Sequence, residues 1–167
     1  YSDEMDDEIK PQWIGAITRQ DAHLPKGRNY TDAKLKEPLV KEAWKKVDTL
    51  SRRSILLRKD FNLKEKVLKA TVSIVGLGFY ELTINGRKVG DASFAPLWSD
   101  YDKSIFYNTY DVTSLLKSQT SGLQSQTIQV LLGNGFYNEH GLRYAKMKIS
   151  FGPPTLLFRM HIEYLNG

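Results

Sequence analysis

The residues of this chain that could do chemistry are carboxylates, and the tightest group is Asp100-Tyr101-Asp102, with Trp98 two positions ahead. Two acids around a tyrosine in a loop could hold Ca²⁺ through oxygen ligands, or offer a sugar ring the indole to stack on. The plainer reading is a polar turn with Trp98 packed inward, and it is the more economical one. A glycosidase needs two carboxyl groups roughly 5–9.5 Å apart, so Glu81, Asp91, Asp111 and Glu139 qualify by composition as well. Glu81 falls mid-strand, out of phase with Tyr80 and Leu82, which places it in solvent. Asp111 stands where a helix cap belongs. A stand-alone enzyme using Asp100 or Glu139 as an acid is disfavoured, because no base, nucleophile or cofactor motif accompanies either.

Other chemistries find less. Cysteine is absent, which excludes disulfides, thiol nucleophiles and Cys-ligated zinc. There is no Gly-x-Ser-x-Gly elbow. Gly76-Leu77-Gly78 opens a dinucleotide-type pattern, but Glu81 stands where the third glycine is needed, and the segment lies between strands. Gly133-Asn134-Gly135 fails likewise. His23, His140 and His161 lie far apart without metal-ligand spacing. Asn29-Tyr30-Thr31 fits a glycosylation sequon, a triplet that is common by chance.

The bulk numbers describe a globular chain: 167 residues, 41% hydrophobic and 26% charged. No run approaches the ~20 apolar residues of a membrane-spanning helix. The net charge of +5 understates the basic character of the body, because Asp3, Glu4, Asp6, Asp7 and Glu8 crowd the start. That start lacks the basic-then-apolar pattern of a signal peptide. The basic residues between Lys26 and Lys69 are interleaved with Asp32, Glu37, Glu42, Asp48, Asp60 and Glu65. A solvated mixed-charge surface is therefore expected rather than a nucleic-acid track.

The elements that must position the acids are mostly strands. Trp13–Ile17 is short enough for a first strand or docking segment, and Pro38 to Val47 shows the three- and four-residue recurrence of one short helix. From Ser51 the period becomes two. Ala70, Val72 and Ile74 share one face, then Gly76 and Gly78 interrupt. Tyr80, Leu82 and Ile84 share the next, and Asn85-Gly86 turns a hairpin into Lys88-Val89-Gly90. Ser104–Tyr110 is β-rich, and Asp111 or Thr113 caps a helical turn over 114–117. Residues 118–126 form a polar loop, and Ile128, Val130 and Leu132 alternate before Gly133. Leu156 to Tyr164 alternates as a half-buried antiparallel strand, and Asn166-Gly167 is a hairpin signal without a second strand after it. Such a strand leaves an open edge, so the chain is expected to be a fragment of something longer. An all-β antiparallel sandwich or jelly roll follows, with an N-terminal extension over 1–50 and the sandwich over 51–167.

One stretch carries a known pattern. Gly78-Phe79-Tyr80-Glu81-Leu82-Thr83-Ile84-Asn85-Gly86-Arg87-Lys88-Val89-Gly90-Asp91 resembles the signature of bacterial α-L-rhamnosidase N-terminal domains. Ala95-Pro96-Leu97-Trp98-Ser99-Asp100-Tyr101, Phe106 to Thr113, Leu115-Leu116 and Leu132 to Tyr137 follow in the same order and spacing. The match is clear over about 53–137. Leu97 stands where the family usually has Gly, and Phe136 where Trp is common. The resemblance implies a galactose-binding-like sandwich, non-catalytic, with hydrolysis performed by acids on a downstream helical barrel of the parent protein. It implies a periplasmic or secreted bacterial protein, with that catalytic domain and rhamnose-containing glycans as partners; the interleaved charges and the lack of a long apolar run argue against nucleic acid and membrane. Since some members bind rhamnose with calcium, Trp98, Asp100, Tyr101, Asn134, Tyr137 and Glu139 are the candidate carbohydrate contacts. Asp100 and Asp102 are the candidate Ca²⁺ ligands. The alternatives are a purely structural sandwich without ligand and a nucleic-acid-binding module using the charges between Lys26 and Lys69.

Overall fold

The structure, a computed structural model of the chain, describes residues 11–16, 53–117, 125–139 and 149–166. The helix expected over 38–47 lies outside the described residues, as do His23 and His140.

Two-residue alternation builds two antiparallel sheets. The first has the order β1-β10-β3-β6, from β1 (Ile14–Gly15), β3 (Val67–Leu77), β6 (Asn108–Asp111) and β10 (Thr155–Tyr164). The second has the order β2-β7-β4-β5, from β2 (Ile55–Asn62), β4 (Phe79–Ile84), β5 (Arg87–Lys88) and β7 (Ser125–Gly133). A small ribbon joins β8 (Asn138–Glu139) to β9 (Ile149–Ser150), and one helical turn, α1 (Thr113–Lys117), follows β6.

The inward faces meet in one core. Ala70, Val72 and Ile74 of the first sheet pack with Tyr80, Leu82, Ile84, Ile128, Val130 and Leu132 of the second. Each carries its apolar residues at every second position, so facing the sheets together removes them all from water. The expected first strand is found at Ile14–Gly15, where Ile14 pairs with Leu156 and Gly15 with Thr155. The hairpin forms as expected, with φ of 52° at Asn85 and 74° at Gly86, the two positive values a type I′ turn needs.

Several boundaries differ from expectation. Gly76 does not break β3, which runs on to Leu77. A Cβ at Gly76 would stand 2.9 Å from the Tyr80 ring, so this glycine makes room for an aromatic rather than a turn. The break falls at Gly78 alone. The return strand is Arg87–Lys88, although the Val89 N–H still donates to the Leu82 carbonyl at 2.8 Å. Of Ser104–Tyr110 only the end is strand, since β6 begins at Asn108. Ser125 and Gln126 belong to β7 rather than to the preceding loop, and Gln126 is fully buried. It tolerates burial because Asn85 Nδ2 donates to its Oε1 at 2.7 Å.

The capped turn is found. Thr113 N–H donates to Asp111 Oδ1 at 2.9 Å, and Leu116 drops into the core. Among the described residues no helix is long and apolar enough to cross a membrane.

Candidate functional site

The candidate residues gather where the segment after β5 runs beside the turn between β7 and β8. Both segments are tied to β4. The Tyr80 N–H donates to the Ala95 carbonyl at 2.7 Å, fixing the loop that carries Phe94, Leu97 and Trp98. On the other side the backbones meet so closely that a Cβ at Gly78 would lie 2.0 Å from the Gly133 carbonyl oxygen. One at Gly135 would lie 2.9 Å from the Phe79 nitrogen. Both glycines have positive φ, 121° and 52°, so no other residue fits there without strain.

Consecutive residues of this turn then point opposite ways. Phe136 faces outward and stacks on Trp98, with ring centroids 5.3 Å apart and planes at 30°. Tyr137 faces inward, only 5% exposed, between Tyr101 (5.1 Å, edge-on) and Phe151 (5.7 Å, stacked). Its hydroxyl donates to the Phe151 carbonyl at 3.3 Å. Burial, and after it the neighbouring Tyr137, pushes the Tyr101 hydroxyl above its ordinary range, so it stays a neutral phenol.

The sequence candidates therefore part company. Trp98 is 61% exposed rather than packed inward, which corrects that half of the plainer reading, whereas the polar turn it expected is present at 100–104. Tyr101 and Tyr137 stand together, but Tyr137 offers no ring face to solvent. Asn134 accepts a 2.9 Å hydrogen bond at Oδ1 from the buried Asn138 and joins the turn's own scaffold. Asp100 closes its loop: its carbonyl accepts from Lys103 and Ser104 N–H at 2.8 Å each, and its Oδ2 lies 3.4 Å from Lys103 Nζ. A cation at Asp100 and Asp102 would have to displace that ammonium and recruit more oxygens, since Ca²⁺ takes six to eight. Among the described residues no group of three or more His, Asp or Glu stands ready to hold a metal. Glu139 lies in β8 opposite Ile149.

Residues that sequence reading passed over complete the surface. Phe79 meets Phe94 at 5.3 Å and Phe136 at 5.7 Å, so Phe94, Phe79, Phe136 and Trp98 form one continuous row of rings. The available signal was phase: Phe79 alternates with Tyr80 and must leave the core face. Elsewhere, Glu81 is exposed, as its phase in the strand predicted, and paired with Lys88 at 3.2 Å, and His161 is a surface residue 3.7 Å from Glu163.

The sequence pattern of the family described as "Alpha-L-rhamnosidase N-terminal domain" matches residues 65–167. The chain belongs to this family. An α-L-rhamnosidase of Formosa agariphila is 33% identical over 144 residues, covering 84% of this chain and 14% of the relative. One from Streptomyces avermitilis is 34% identical over 127 residues, covering 74% and 12%. The chain thus spans about an eighth of these rhamnosidases. Among solved structures, the Streptomyces avermitilis α-L-rhamnosidase complexed with L-rhamnose aligns with a TM-score of 0.60 at 32% identity, covering 72% of this chain and 11% of that one. The native Aspergillus terreus α-L-rhamnosidase gives 0.61 at 28% identity, covering 80% and 16%. The two-sheet fold of the rhamnosidase domain is thereby shared.

Proposed function

We propose that this chain is the non-catalytic accessory sandwich of an α-L-rhamnosidase-type glycoside hydrolase, and that it supports the catalytic portion of its parent protein. The observation that carries the reading is the family match over 65–167, together with rhamnosidase relatives of which the chain spans 14% or less. Three of the described acids stand in surface ion pairs, Glu81 with Lys88, Asp100 with Lys103 and Asp60 with Arg58, which is consistent with a structural role for them. An aryl α-L-rhamnoside tests both halves. The purified chain is expected to leave it intact, and the full-length product of the gene is expected to cleave it. Turnover by the chain, or none by the full-length product, overturns the reading. The periplasmic or secreted address belongs to the same reading, and fractionation of the native cells checks it.

A second reading, carbohydrate contact, is favoured by one feature: the exposed Trp98 indole on its Phe136 support, beside Tyr101 and Asp100. Flat, preorganised aromatic faces suit sugar rings. Calorimetry with L-rhamnose at millimolar concentration, with and without Ca²⁺, decides it. Heat that requires Ca²⁺ would support ligands at Asp100 and Asp102, and no heat in either condition reduces the module to scaffold.

A further inference from the structure

The row of rings lies outside the core and runs on past the Trp98 face, through Phe136 and Phe79 to Phe94. Phe94 is 68% exposed, Leu97 76%, Trp98 61% and Phe136 43%. The Tyr80–Ala95 hydrogen bond holds one supporting segment to β4, and the glycine contacts at Gly78 and Gly135 hold the other. Large apolar side chains left in water form a surface that gains free energy when covered, and such patches mark interfaces.

The polar neighbours show what kind of cover fits. A saccharide needs hydrogen-bond partners placed around its stacking ring, because its hydroxyls lose water on binding. Here the Ser99 hydroxyl donates to the Ser104 carbonyl at 2.8 Å, Asp100 faces Lys103, and Asn134 is engaged by Asn138. These groups serve the loops themselves. A protein face of aliphatic and aromatic side chains makes no such demand. The relatives supply the occupant: in each the segment matching this chain is 14% or less of the polypeptide, so most of a rhamnosidase lies outside it.

We propose that Phe94, Leu97, Trp98 and Phe136 form an intramolecular docking surface, on which the remaining polypeptide of the parent protein seats an apolar patch of its own. This rests on the rhamnosidase reading above. The row would then fix the orientation of the sandwich against the catalytic portion. Hydroxyl-radical footprinting of the full-length gene product beside the isolated chain tests it directly. Labelling of Phe94, Leu97, Trp98 and Phe136 is expected to fall several-fold in the full-length protein, while Leu82, buried in the core, stays unlabelled in both and reports an intact fold. Equal labelling of the four residues overturns the proposal. Protection of the isolated chain by millimolar L-rhamnose would assign the surface to sugar instead. Protection that grows with the concentration of the isolated chain would assign it to a second copy. Either result overturns docking. Aryl-rhamnoside turnover by the same full-length sample separates failure of this proposal from failure of the rhamnosidase reading.

Discussion

Tyr80 shows how one side chain can set a limit on the whole sandwich. Its ring fills the space beside Gly76, and its hydroxyl meets that of Tyr110 at 3.2 Å across the two sheets. Burial, and then the adjoining Tyr110 hydroxyl, pushes the Tyr80 phenol far above its ordinary value; Tyr101 moves the same way, again chiefly through burial. In the unfolded chain both titrate near ~10. The folded state therefore holds protons that the unfolded state releases, so their contribution is intact below about pH 10 and lost as pH rises beyond it. Thermal melts from neutral pH to above ~10 should show a falling Tm, and Tyr80→Phe should flatten that fall. At neutral pH the same substitution should cost about 1 kcal/mol for the lost hydroxyl pair. Asn85 is a second such position. It donates to Gln126 Oε1 and to the Leu115 carbonyl at 3.2 Å, and accepts from Thr127 N–H at 3.0 Å, all from a left-handed conformation. Asn85→Ala should cost about 2–3 kcal/mol in chemical denaturation. Asn85→Gly, which keeps the turn and loses only the bonds, should cost less; equal losses would mean that the side-chain bonds alone matter.

Among the elements, α1 depends most on its surroundings. Five residues are too few to hold a helix in water, so its existence follows from Leu116 in the core, the Asp111 cap and a bond from Ala70 N–H to Thr113 Oγ1 at 2.9 Å. Leu116→Ala should therefore lower stability by roughly 2–5 kcal/mol and loosen the end of β3 with it. Hydrogen exchange at the Ala70 amide reads that coupling, and unchanged protection there would refute it. The strands were the most legible part of the sequence, because alternation over Ala70–Ile74, Tyr80–Ile84 and Ile128–Leu132 states the buried face outright. Their ends were not. Gly76 carries the same residue type as a turn glycine, yet its reason is the Tyr80 ring, 4 residues away in sequence. Gln126 looks like loop polarity because its partner, Asn85, arrives from a distant hairpin. The site was legible in part for the same reason. Trp98 and Tyr101 stood out by type, but whether Phe136 or Tyr137 faced solvent depended on the direction of a turn set by contacts with β4.

At the scale of the whole molecule, the buried core and the exposed aromatic row are built from different residues. The core is shared by both sheets, whereas the aromatic row lies outside it. Leu97→Ser should leave the melting of the isolated chain within about 0.5 kcal/mol of wild type, as expected for a surface position, and should reduce any tendency to aggregate. A large loss of stability would place Leu97 in the fold rather than on its exterior.

The pairing of the strands has a consequence for synthesis. Ile14 finds its partner at Leu156, Val67 at Tyr164 and Ile55 at Leu132, so early segments wait for late ones. A nascent chain stalled on the ribosome before Thr155 has emerged would present β3 with a long unclaimed flank and nothing to close the first sheet. Contacts this far apart also make folding slow. During translation the module should therefore acquire protease resistance in a single late step rather than gradually.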